Sequence, residues 1–357
     1  MGKKTGKKQI IEVVMISGIE NYSRAIEFRD PEYLPCFIEF YPDLLYEKDN
    51  SKIERIMTIR GRFPNDLIIY LNASIATKRD SRQTVWRDEW GTGWRNDGHG
   101  AKTETYPLGG GYNAPDKYLL PDPRIAGRFE QADKILKERG NQYVCASVWF
   151  TLFERLWMLR GFENMLMDPY VNEKEFCALR DRIVEYNLAI IEQWLERGVN
   201  GVFFSDDWGG QRNLLINPDD WRRFYKPSYK RMFNRVRSGG AHVWMHLCGN
   251  ITAILPDLID IGLNVLNPIQ PQAMNIRQLS KEYGGKICFF GGVDVQDTLI
   301  NGTPEKVKRE VHALVELFGR FNGGYIGGTS HGCIMSETPL DNIYAMYEAF
   351  LEHQPAK

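Results

Sequence analysis

Eight short runs rich in β-branched and aromatic residues recur along the chain, and helical patterns fill most of the gaps between them. The runs are Leu34–Phe40, Leu67–Leu71, Tyr143–Trp149, Asn200–Phe204, His242–Leu247, Leu263–Leu266, Lys286–Phe290 and Gly324–Gly327. Buried parallel strands read as near-continuous apolar runs of this kind. The intervening patterns predict helices over Glu173–Arg197 (ended by Gly198), Pro218–Arg237, Ile251–Ile261 and Thr303–Phe318, with a last helix opening at Thr338-Pro339. Alternation of strand and helix demands a parallel sheet with right-handed crossovers, and eight strands favour closure. The expected fold is therefore α/β, a (β/α)8 barrel of the TIM type. Residues 81–123 break the rhythm. They are rich in Gly, Trp and turn residues and predict a β-hairpin or lid inserted after an early strand. No internal repeat and no low-complexity linker divides the chain, so one domain over 1–357 is expected.

Charge and apolar patterning exclude several classes. A formal net charge of −1 provides no global field for nucleic acid or an anionic membrane. The basic opening around Lys3 and Lys4 is a small local tail. The apolar stretch Ile10–Ile16 is short and carries Glu12, so it fails as a membrane span and as a signal core. Gly2 lacks the Ser or Thr that a myristoylation motif needs at position 6, which is Gly. A cytoplasmic location is expected, and a homodimer is left open.

The 6 cysteines are too scattered for a disulfide framework. Cys36, Cys145, Cys177 and Cys288 lie in apolar stretches and read as buried small hydrophobes. Cys248 and Cys333 instead follow apolar runs, among Gly, Asn, Ser and His.

In such a barrel the chemistry sits at the C-terminal ends of the strands. Reading past those ends gives Ser205, Asp206 and Asp207; His246, Cys248 and Asn250; Asn267 and Gln270; Asp294; and Thr329, Ser330, His331 and Cys333. In His246-Leu247-Cys248, residues i and i+2 share one side of a strand, so imidazole and thiolate face one point. Zinc takes such donors, and a catalytic zinc keeps three protein ligands and one open position. Cys333, at the matching end of another strand, supplies the third. A buried thiol beside an unrelated His is the bland alternative for the tripeptide alone.

The stretches NYSRAIEFRDPEYLP, GVFFSDDWGGQ, HVWMHLCGNI, FFGGVDVQ and YIGGTSHGCIMSETPLDNIYAM run over nearly the whole chain. Through them it resembles the uroporphyrinogen decarboxylase superfamily, in its zinc-containing corrinoid methyltransferase branch. The resemblance implies zinc on His246, Cys248 and Cys333, and DEWGTGW with the Asp206-Asp207 pair is most similar to methyltransferases of O-demethylase systems. Decarboxylation is not expected, because the arginine-rich stretch of the decarboxylases is replaced here by the acidic FIEFYPDLLYEKDN.

The expected reaction moves a methyl group from a small-molecule methyl ether, an aromatic one, to the Co(I) corrinoid of a partner protein docked over the barrel mouth. The corrinoid (cobalamin) must come on that partner, since the D-x-H-x-x-G loop of cobalamin domains is absent. Asp206 or Asp207 is expected to donate the proton, although adjacent Asp residues also serve as loop turns or helix caps. Trp149, Phe150 and Trp208 are expected to wall the donor pocket, with Gln270, Asn250 and His331 as further substrate contacts. The alternative is transfer from methyl-corrinoid to a thiol, coenzyme M or homocysteine. A non-catalytic protein with a structural zinc is disfavoured, since such sites usually have four ligands.

Overall fold

The computed structural model describes residues 16–39, 49–73, 84–96, 101–112 and 118–354. Among these residues seven strands form one parallel sheet: β1 (Leu67–Leu71), β5 (Tyr143–Val148), β6 (Gly201–Ser205), β7 (His242–His246), β8 (Val265–Asn267), β9 (Cys288–Phe290) and β10 (Tyr325–Ile326), in that spatial order. Three others, β2 (Val85–Arg87), β3 (Gly93–Asn96) and β4 (Ala101–Thr105), make a separate antiparallel sheet within the predicted lid.

The first predicted strand, Leu34–Phe40, is reduced to a parallel bridge between Cys36 and Gly327; residue 40 lies outside the described residues. Phe37 N–H donates to Gly327 O at 2.9 Å, and Gly327 N–H to Pro35 O at 2.8 Å. The Phe37 ring then meets Tyr70 of β1 edge-on at 6.0 Å. That segment thus stands between β10 and β1, in the eighth position of a (β/α)8 barrel.

Two-residue periodicity sorts the strand side chains. Tyr143, Cys145, Phe203, Trp244, Val265, Cys288, Phe290 and Ile326 pack as an inner cluster, with Tyr22 and Ile26 of helix Gly18–Ile26 against them. Their neighbours Val144, Ala146, Val202, Phe204, Val243, Met245, Leu266 and Phe289 face the helices in the larger outer core. This phase fixes what the strand ends present. Ser205 and Asp207 continue the inward row of Phe203, His246 that of Trp244, and Ser147 and Trp149 that of Cys145.

Two predicted helices differ from expectation. The predicted Pro218–Arg237 is two helices, Pro218–Phe224 and Lys226–Ser238, because Pro227 has no N–H to continue the ladder. The predicted Ile251–Ile261 is helical over Leu255–Asp260. Helix Pro304–Gly319 starts where expected, Thr303 Oγ1 accepting from Lys306 N–H at 3.3 Å. Among the described residues no helix is long and apolar enough to cross a membrane. Most of Ile10–Ile16 and all of the basic opening lie outside them.

The lid is fastened to the barrel by charge. Arg128, 1% exposed at its side chain, makes a bidentate contact to Glu89. Arg160 and Asp168 pair deep in the protein at 2.7 Å, Tyr112 Oη donates to Asp168 at 2.7 Å, and Arg160 also donates to Leu108 O. Asp88 ties the β2–β3 turn together: its Oδ1 accepts from Trp90 and Thr92 N–H, its Oδ2 from Trp94 Nε1.

Candidate metal centre and cavity

At the C-terminal mouth, Asp207, His246 and Cys248 place one ligand atom each within 4.8 Å of one another. Cys248 Sγ lies 3.3 Å from His246 Nε2, and Asp207 Oδ1 lies 3.9 Å from the same nitrogen. The other imidazole nitrogen, Nδ1, donates to Asn267 Oδ1 at 2.8 Å. An amide oxygen only accepts, so this bond fixes the tautomer and leaves the Nε2 lone pair free for a ligand. Burial lowers the His246 pKa and keeps the ring neutral, while burial raises the Cys248 thiol well above its usual range. A neutral imidazole, a half-buried thiol and a carboxylate converging on one point fit a divalent cation of zinc's preference.

Backbone contact holds the cluster together. Cys248 N–H donates to Asp207 Oδ1 at 2.9 Å, and Asn250 N–H to Gly210 O at 2.8 Å. A Cβ on Gly209 would come within 2.3 Å of Cys248 O, and one on Gly249, whose φ is +80°, within 2.3 Å of the Gly209 backbone. Glycines in DDWGG and HLCGN therefore let the loops after β6 and β7 touch main chain to main chain.

A cavity of about 890 Å³ opens beside the cluster, lined by Asp207, His246 and Cys248 and walled by Tyr70, Trp86, Trp90, Trp94, Trp149 and Phe150. The Trp149 ring stacks on Phe203 and stands 6.1 Å from the His246 ring. Phe150, at φ 53°, turns back to stack on Trp94 of the lid. His331 and Cys333 line the same cavity. Cys333 does not join the close trio; burial and the nearby Glu39 carboxyl raise its thiol to about 11.

Four expected site residues lie elsewhere. Asp206 points away from the cavity because it falls between the inward Ser205 and Asp207. Its carboxylate accepts from Leu152, Phe153 and Glu154 N–H at 2.8–3.0 Å and from Tyr229 Oη, at the start of helix Phe153–Arg160. Burial raises its pKa to about 7 against the pull of those N–H groups. Trp208, out of phase in the same way, is fully buried against Trp221, Tyr225 and Tyr229. Gln270 Oε1 accepts from Gly249 N–H, and Asn250 bonds Arg212 O and Thr252 N–H, so both brace loops.

Glu154 and Arg155 line the cavity instead. Burial, helped by Asp206 and Asp207, pushes the Glu154 carboxyl up to about 9, and Ser205 Oγ donates to it at 3.4 Å. A charged pair within the apolar run TLFERLWML, just past the end of β5, is the sequence signal for them.

Barrel and cluster together define an α/β-barrel protein with a metal-competent site at its C-terminal mouth. The chain belongs to the uroporphyrinogen decarboxylase (URO-D) family, whose model matches residues 135–353, more than half of its length. It is 25% identical over 191 residues to a uroporphyrinogen decarboxylase of Chlorobaculum tepidum, covering 53% of this chain and 52% of that protein. It is 23% identical over 249 residues to a methylated-thiol–coenzyme M methyltransferase of Methanosarcina mazei, covering 68% of this chain and 64% of the relative. A methylcobamide:CoM methyltransferase of Methanosarcina acetivorans is 25% identical, with 65% of each chain covered. The matches thus span between about half and two thirds of these curated relatives. A solved methyltransferase from Methanosarcina mazei shares the fold at a TM-score of 0.68 and 15% identity, over 95% of this chain and 99% of that one.

Proposed function

We propose that this protein is a zinc-dependent methyltransferase that takes the methyl group of an aromatic methyl ether and passes it to the Co(I) corrinoid of a partner protein seated over the barrel mouth. The observation that carries the reading is the Asp207–His246–Cys248 cluster opening directly onto an aromatic-walled cavity. His246 and Cys248 hold the metal, with Cys333 as the third ligand that the family pattern calls for and Asp207 as the carboxylate beside it. Zinc there supplies a Lewis acid that withdraws charge from a leaving oxygen.

The chain's own groups meet the remaining demands. Breaking the methyl C–O bond leaves its electron pair on oxygen, which must take a proton or be stabilised. Glu154, protonated at neutral pH by its burial, is the cavity carboxyl suited to donate one, a role that Asp206 cannot fill from outside the cavity. Trp149 and Phe150 offer faces for a planar donor, which displaces water from them as it binds.

The names of the relatives favour a second reading, transfer from methyl-corrinoid to a thiol at the same cluster. One experiment separates the two. Zinc-loaded protein is mixed with Co(I) cobalamin and a panel of methoxyarenes, then with methylcobalamin and a panel of thiols, while the cobalamin spectrum is followed. Growth of methyl-Co(III) with an arene supports the ether reading; its decay with thiols alone transfers the assignment to the second.

A further inference from the structure

We propose that Arg155 forms an anion subsite in the aromatic cavity, so that the molecule bound there carries a carboxylate. The inference rests on the cavity being the methyl-donor site and names the donor's class: a methoxylated aromatic acid.

A guanidinium is seldom buried without full pairing, because it loses hydration on every N–H it carries. Arg155 lines the cavity with its side chain only 8% exposed. Among the described residues its one ion pair is a long contact, Nη1 to Asp88 Oδ2 at 3.4 Å. Nε is buried without a hydrogen-bond partner. Asp88 shares its two oxygens between this guanidinium and three other N–H groups, from Trp90, Thr92 and Trp94, so it has no further acceptor site to offer. The adjacent Glu89 carboxylate is engaged in a bidentate contact with Arg128. The guanidinium is thus short of acceptors.

Its surroundings set the shape of what completes it. The Arg155 Cζ lies 4.4 Å from the Trp90 ring centroid and 5.6 Å from that of Phe150. These contacts hold the guanidinium between aromatic faces without supplying hydrogen-bond acceptors. A planar acid would bring both complements, its ring against the tryptophans and two oxygens for the fork of N–H donors.

Benzoate and benzamide test the subsite without reference to methyl transfer. They are nearly isosteric, and only one carries the charge. Titration into the zinc-loaded protein, followed by calorimetry and by quenching of tryptophan fluorescence, is expected to give benzoate the tighter binding by roughly 10–100-fold. In Arg155→Gln the two should bind alike; in Arg155→Lys, which keeps the charge but not the fork, the preference should shrink. Equal binding of both probes to the wild-type protein, or no benzoate binding, overturns the subsite whatever the variants do. A wild-type preference for benzoate that persists in a folded Arg155→Gln variant overturns the assignment to Arg155. If benzoate binds as expected but 4-methoxybenzoate methylates no cobalamin, the subsite stands and the ether reading falls.

Discussion

His246 donates its Nδ1–H to Asn267 Oδ1 across 2.8 Å, and this one bond aims Nε2 at the Cys248 thiol 3.3 Å away. Two adjacent strands make it possible, since β7 and β8 pair His246 directly with Asn267. Replacing Asn267 by Leu removes the acceptor and frees the ring to turn. Zinc affinity is expected to fall roughly 10–100-fold, the usual effect of losing such a supporting partner. Competition with a chromogenic chelator measures it, and an unchanged affinity would show that Asn267 does not orient the ring.

The third metal ligand can be read from zinc content. Asp207 belongs to the close trio, whereas Cys333 lines the same cavity near the Glu39 carboxyl. If zinc draws Cys333 from Glu39, Cys333→Ser is expected to lose most bound metal while Asp207→Asn retains it. The reverse pattern would make the carboxylate the ligand. Elemental analysis of both purified variants decides between them.

Glu154→Gln and Asp206→Asn should fail in different ways. The first keeps the shape of a cavity group and removes its proton; methyl transfer should drop roughly 10²–10⁴-fold with zinc content and melting temperature nearly unchanged. Asp206→Asn weakens an acceptor of three backbone N–H groups and a tyrosine hydroxyl. Its main effect should be a lower melting temperature. Normal turnover in Glu154→Gln would remove Glu154 from the chemistry.

The Arg160–Asp168 pair predicts how the lid anchor responds to acid. Burial opposes ionisation of Asp168, but Arg160, Asn172 and Tyr112 together hold its pKa below the ordinary 3.8. The stabilisation is therefore fully present above about pH 4 and is lost as pH falls through the lower folded-state value, where the unfolded chain binds the proton first. Asp168→Asn strands a buried guanidinium and should cost about 3–5 kcal/mol near neutral pH. Urea melts at neutral pH and below pH 4 check both parts: a large gap between wild type and variant, narrowing only in acid. A gap that is independent of pH would mean that the charge of Asp168 is not what matters.

Much of the barrel was legible because its strands are short apolar runs and its helices begin and end with recognisable residues. Thr303 caps where expected, and Pro227 divides a helix that periodicity alone joins. Leu34–Phe40 reads as a strand but, among its described residues, pairs through a single bridge, since its ladder depends on how β10 and β1 lie on either side of it.

The site was legible where strand phase carries over to the strand end. His246 and Cys248 can be inferred to share a side because i and i+2 always do on a strand, and the pattern HLC alone contains that information. Which of Asp206 and Asp207 faces the metal depends on the absolute phase of β6, and no local pattern distinguishes two adjacent aspartates. Trp208 and Gln270 look like pocket residues by type and position, yet one fills the outer core and the other braces a loop. Glu154 and Arg155 owe their character to burial beneath an inserted lid, and burial arises from segments far apart in the chain. Local pattern alone carries the alternation of strands and helices, the paired ligands of one strand and the glycines that let two loops touch. Which carboxyl is neutral, which arginine is short of acceptors and which aromatic rings enclose the cavity emerge only on folding, because desolvation and long-range pairing are properties of packed neighbours.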